Sequence, residues 1–154
     1  YNVSIKAIPA CKVFSLRRRV ADYYAEGPLW QEMGAYMKTH GIPITQDTFT
    51  IYHDMDYREA DVDIEVCTEV PELLESRDGF TFRETPAVPI MASTMVHGPF
   101  SNIAGAYRAF ACWLQQHNQY RMAQGSRQIV HLGPWNEAEP DRHLTEIQVP
   151  LELR

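Results

Sequence analysis

Apolar and polar residues alternate with a period of two along several stretches of the chain. Near its end, Ile147 and Val149 point one way while Glu146 and Gln148 point the other. The same alternation runs through Val62, Ile64 and Val66 against Asp61, Asp63 and Glu65. That period belongs to strands buried on one face. Comparable runs predict strands over 3–7, 12–17, 48–53, 61–67, 81–84, 88–96, 127–132 and 143–149. Two other stretches carry apolar residues at helical spacing. Trp30, Met33, Met37 and His40 predict a helix over 28–40, with Gly41 as its stop. Ile103, Tyr107, Phe110 and Leu114, flanked by Trp113, predict a second and longer helix. It is expected to begin near Ser101 as N-cap and run towards Asn118.

The pattern is duplicated. Gly27-Pro28-Leu29 is followed by Gly34-Ala35-Tyr36, and Gly98-Pro99-Phe100 by Gly105-Ala106-Tyr107, at the same internal spacing. Each Gly-Pro suits a bend into a first helical turn. Each half reads strand, strand, helix, strand, strand, so pseudo-repeats of about 1–70 and 80–154 make one domain over 1–154. The expected fold class is α+β, an antiparallel sheet of about eight strands with two helices on one face. The hairpin loops are expected at 54–60 and 133–142, and the link between halves at 71–79. Tyr23 and Tyr24 have no counterpart in the second half, and the loop bearing Trp135 none in the first.

Composition narrows the function. The 154 residues are 45% hydrophobic and 22% charged, a globular balance, with a net charge of -6. An acidic chain whose one basic run is Arg17-Arg18-Arg19 is a poor nucleic-acid surface. No apolar run reaches the length of a membrane span. Three widely spaced cysteines and six scattered histidines form no metal-binding motif, and no metal or cofactor is expected. Reduced thiols suit a cytoplasmic protein. A chain that begins with Tyr1 is expected to be a piece of a longer one.

The candidate chemistry lies on the polar sheet face. Asp61 and Glu65 are expected to keep that face wet. Glu146 lies mid-strand, and alignment of the two closing strands matches it to Asp63. Burying such an acid is costly unless a partner is supplied, and a cationic ligand would supply one. Flat aromatic rings beside a carboxylate suit a delocalised organic cation. Trp135 stands out because it falls in a loop.

These residues resemble the GyrI-like family, which includes the effector-binding domains of AraC- and MerR-type transcription regulators. The resemblance rests on Gly27-Pro28-Leu29-Trp30, on 49–54 with 62–66, and on the closing Leu144-Thr145-Glu146-Ile147-Gln148-Val149-Pro150-Leu151. It implies a pseudo-twofold pair of units and an aromatic-lined cleft for hydrophobic, often cationic, molecules, as in multidrug binding. It implies a ligand contact for Glu146, with Trp113 and Trp135, then Tyr107, Trp30 and Asp63, around it. DNA would be reached only through a domain absent from this chain, and a standalone equivalent of the effector-binding domain fits the family as well. Two other functions fit the family: a small-molecule hydrolase with Glu146 as general base and Tyr107 as partner, and a gyrase-inhibitor-like protein-interaction module.

Overall fold

The computed structural model describes residues 1–45 and 47–154. Among them are nine strands, all paired antiparallel, and two α-helices, an α+β fold. In chain order the elements are β1 (Val3–Ile8), β2 (Cys11–Val20), α1 (Glu26–His40), β3 (Thr48–Tyr52), β4 (Val62–Glu69), β5 (Phe80–Thr85), β6 (Val88–His97), α2 (Ile103–Gln116), β7 (Tyr120–Met122), β8 (Arg127–Leu132) and β9 (Leu144–Leu153). No described helix is long and apolar enough to cross a membrane.

The chain divides into two compact units. Unit I comprises residues 9–87, and unit II residues 1–8 with 88–154. In unit I the strands run in the order β3-β4-β2-β5. In unit II the order is β1-β6-β9-β8, with β7 pairing the end of β9. The leading strand of each predicted half is thus exchanged. β1 pairs with β6 and β5 with β2, although each is followed in sequence by the other unit's next strand. Pro9-Ala10 and Pro86-Ala87 separate those neighbours, and proline gives up the N–H that a tight continuing ladder would need.

Each unit buries one sheet face under its helix. In unit I, Leu29, Met33 and Met37 of α1 pack on Phe14, Leu16, Val62, Ile64 and Val66. In unit II, Ala106 and Phe110 of α2 pack on Ala92, Val96, Ile147, Val149 and Leu151. The aliphatic side of each predicted alternation is therefore the helix side.

Three details depart from the sequence pattern. α2 is the shorter helix, 14 residues against 15 for α1. It stops at His117, whose ring stacks on Trp113 at 4.1 Å and whose Nδ1 contacts the Trp113 carbonyl at 2.7 Å. Ser101 caps nothing and lies inside a 3-10 turn over Phe100–Asn102. Strand β7 escaped the pattern because three residues are too few to show a period.

Candidate functional site

The polar side of β9 is not a wet surface. Glu146 is 3% exposed. Its Oε2 accepts from Lys6 Nζ of β1 at 2.6 Å, Ser93 Oγ of β6 at 2.7 Å and Gln148 Nε2 at 2.8 Å. Its Oε1 lies 3.0 Å from His131 Nε2 of β8. Burial alone would raise the pKa of this acid, but the donors outweigh it. Lys6 contributes most, and the pKa falls to about 2.

Unit I contains a second cluster of the same design. Glu65, 2% exposed, accepts a two-pronged contact from Arg83 at 2.9 and 2.7 Å and faces His53 Nε2 at 2.8 Å. Ser15 Oγ is buried without a hydrogen bond of standard geometry among the described residues, yet its hydroxyl helps to hold the acid ionised. Burial again opposes ionisation, and His53, Arg83 and Ser15 together drive the Glu65 pKa far below the carboxylate range.

Strand register makes the two clusters equivalent. Glu65 sits opposite Ile51 of β3, and Glu146 opposite Ile129 of β8. Ser15 faces the residue two beyond Glu65, and Ser93 the residue two beyond Glu146. Arg83 of β5 pairs with Val13, two before Ser15, just as Lys6 of β1 pairs with Met91, two before Ser93. The counterpart of Glu146 is therefore Glu65, a shift of two from the sequence match to Asp63. A shift of two preserves the alternation, so the pattern alone could not detect it. The expectation that Glu65 keeps a solvated face is overturned as well. Asp61 does lie at the surface, whereas Asp63 is held by Arg17 through contacts of 3.0 and 2.8 Å, which lower its pKa.

The aromatic candidates do not gather around Glu146. Tyr107 and Trp113 pack with the α2 cluster that includes Ile147 and Val149, on the other side of the sheet. The Tyr107 hydroxyl lies 3.1 Å from Ser126 Oγ and accepts from Gln128 Nε2 at 3.0 Å. Trp113 stacks with Phe110, His117 and Tyr120. The fold therefore does not assemble a Glu146–Tyr107 general-base pair. Trp135 is 67% exposed, and its ring lies so close over Gly133 that a Cβ there would meet it at 2.8 Å. That contact explains the glycine, and the turn starts two residues after His131.

An acid among aromatic rings does occur, around Glu26 in unit I. Glu26 opens α1, where the positive end of the helix favours a carboxylate. Its Oε2 accepts from Trp30 Nε1 at 3.0 Å and from Thr50 Oγ1 of β3 at 3.1 Å. Its Oε1 accepts from the Tyr52 hydroxyl. Tyr23 meets the Tyr52 ring edge-on at 5.9 Å and stacks on Tyr57 at 5.6 Å. Tyr57 is 78% exposed, and Glu26, Trp30, Tyr23 and Tyr52 are half-buried. All the donors to Glu26 are uncharged. Among the described residues no Lys, Arg or His forms an ion pair with it.

Sequence reasoning pointed to Trp30 but not to Glu26. The available signal was the extra Tyr23-Tyr24 segment running into Glu26, with Trp30 four residues on and so on the same helix face. At the other end of α1, a cleft of about 190 Å³ is lined by Phe14, Tyr36, Ile42 and Phe82. Its rim acid, Glu75, is already paired with Arg77 at 2.8 Å.

Comparison with known proteins agrees with this architecture. The model of the GyrI-like small molecule binding domain matches residues 1–152. The crystal structure of the EcmrR C-terminal domain is 30% identical, with a TM-score of 0.89, covering 100% of this chain and 99% of that one. EcmrR in its cryo-EM complex with DNA is 28% identical with a TM-score of 0.88. The match covers 99% of this chain but 58% of that protein. SAV2435 bound to tetraphenylphosphonium shares the fold, with a TM-score of 0.63 at 7% identity, covering 99% of this chain and 94% of that one. No curated protein matches the chain.

Proposed function

The chain belongs to the GyrI-like small molecule binding domain family, and from that premise we propose that it senses an organic cation for a MerR-type transcription regulator. The likeness to EcmrR over the whole of its C-terminal domain supports the regulator. The DNA-binding part would be a separate domain, as the 58% coverage of DNA-bound EcmrR suggests. A cytoplasmic site of action goes with that role.

The observation that carries the ligand class is the Glu26 carboxylate, bonded by Trp30 and Tyr52, with Tyr23 edge-on to the Tyr52 ring and no ion-pair partner among the described residues. An aromatic face attracts a cation through its quadrupole, and a carboxylate adds direct attraction. Glu146 is a weaker choice for the ligand's acid because Lys6 already neutralises it. In this reading Trp30, expected beside Glu146, serves beside Glu26 instead. Trp135, Trp113, Tyr107 and Asp63 become structural neighbours of other groups.

Fluorescence titration with tetraphenylphosphonium, following the tryptophans, tests this reading. The native domain binds the cation, and Glu26→Gln weakens binding at least roughly tenfold, about 1.4 kcal/mol. Equal affinity in the two proteins would remove Glu26 from the site. For the ligand to act as an effector it must bind one conformation of the regulator more tightly than another.

A further inference from the structure

We infer that Trp30 makes the Glu26 site selective for permanent cations without N–H groups, by occupying the acceptor positions that a protonated amine would need. This deepens the cation reading and rests on it.

An ionised carboxylate offers about four lone-pair positions. At Glu26 three are taken, two on Oε2 by Trp30 Nε1 and Thr50 Oγ1 and one on Oε1 by Tyr52. The charge remains while the hydrogen-bonding capacity is nearly spent. Two of its partners, Trp30 and Tyr52, are aromatic, and Tyr23 packs edge-on against the Tyr52 ring.

A primary ammonium brings three N–H donors into this setting. One finds the remaining lone pair, and the others leave water for ring faces and for hydroxyl oxygens already engaged with Glu26 or with Arg58 N–H, weaker acceptors than the water they replace. Such unpaired donors are penalised heavily compared with the small net gain from a satisfied one. A quaternary ammonium or a phosphonium has no N–H to strand. It needs only the field of the carboxylate and aromatic rings beside it, and Trp30 and Tyr52 stand beside this one. The contrast with Glu65 sharpens the point. There the donors come from Arg83 and His53, so a charged partner is built in. At Glu26 the donors are neutral, and the negative charge is left for a ligand.

The test uses two ligands on one skeleton, naphthylmethyl-trimethylammonium and naphthylmethylammonium, titrated into the native domain, Trp30→Phe, Thr50→Val and Glu26→Gln. The native protein is expected to favour the trimethylammonium compound roughly tenfold, the size of one stranded donor. Trp30→Phe keeps a ring but removes the indole N–H, and Thr50→Val removes a donor at nearly constant shape. Either should shift the preference several-fold towards the primary amine. Reading the change in ratio cancels the intrinsic difference in hydrophobicity between the ligands. Thr50→Val keeps the test decisive even if Trp30→Phe fails to fold. An unchanged ratio in both variants, with Glu26→Gln still losing both ligands, overturns the selectivity mechanism and leaves Glu26 as the ligand's acid. Undiminished binding in Glu26→Gln overturns the cation reading and this inference together.

Discussion

The acid of unit II, Glu146, and the acid of unit I, Glu65, stand at matched positions in matched strands, and differ mainly in the cation that answers them. Glu65 meets the planar fork of Arg83 in two contacts, whereas Glu146 meets the single ammonium of Lys6. Arginine's fork is pre-organised and binds a carboxylate twice, while a lysine is a point charge on a flexible stem. The Lys6 side chain is 42% exposed against 31% for Arg83. The duplication therefore conserved a device, a buried acid pinning an edge strand to the sheet's centre, but with one tight and one looser version. Set beside these, Glu26 shows the opposite arrangement, with neutral donors and aromatic rings.

The largest loss of stability belongs to Glu65→Gln. It leaves Arg83 and His53 without their charge partner, and we expect about 3 kcal/mol of destabilisation in urea unfolding, the low end for a broken buried pair because Arg83 reaches solvent. Glu146→Gln should cost less, about 1–2 kcal/mol, since Lys6 can turn to water. Equal losses would dissolve the distinction between a tight and a loose pin.

Acid provides a second way to divide the clusters. The Glu146 pKa in the folded protein is depressed from 4.5 to about 2. Its contribution is therefore complete above the unfolded value and drains away as pH falls from about 4.5 to 2, because the unfolded state takes up the proton first. Glu65 is depressed further, so its contribution persists to lower pH. Unfolding free energy should fall with acidification through this window, and Glu146→Gln should flatten the upper part of the slope. A slope that survives unchanged in that variant would place the titration elsewhere.

The smallest stability effect is expected at Glu26. Gln can still accept from Trp30 and Thr50 through its amide oxygen and donate to the Tyr52 hydroxyl, so Glu26→Gln should change stability by only about 1 kcal/mol while producing the loss of cation binding described above. Glu146→Gln should do the reverse, losing stability while binding tetraphenylphosphonium as before. If Glu146→Gln abolished binding and Glu26→Gln did not, the roles assigned to the two acids would be exchanged.

Much of the architecture is readable from the chain. Period-two alternation fixed which side of β4 and β9 faces a helix, because Val62, Ile64, Ile147 and Val149 can leave water only together. The repeated Gly-Pro fixed both helix starts to within a few residues. Local pattern could not decide partnership. The exchange of β1 and β5 between units depends on which edge each strand finds, and hydrogen-bond ladders are indifferent to sequence distance. The alternation that places Glu146 on the polar face is equally satisfied by matching it to Asp63 or to Glu65, so only register could choose. The aromatic residues were visible as a group, yet whether each lies with Glu146 or across the sheet from it depends on which element carries it. Tyr107 and Trp113 ride on α2 and so fall on the helix side. Sequence thus determined the layers, through the cost of exposing apolar faces. The tertiary structure decided the company each acid keeps: Lys6, Ser93, Gln148 and His131 around Glu146, and neutral donors with aromatic rings around Glu26. Those partners come from different strands and helices, and only packing brings them within reach.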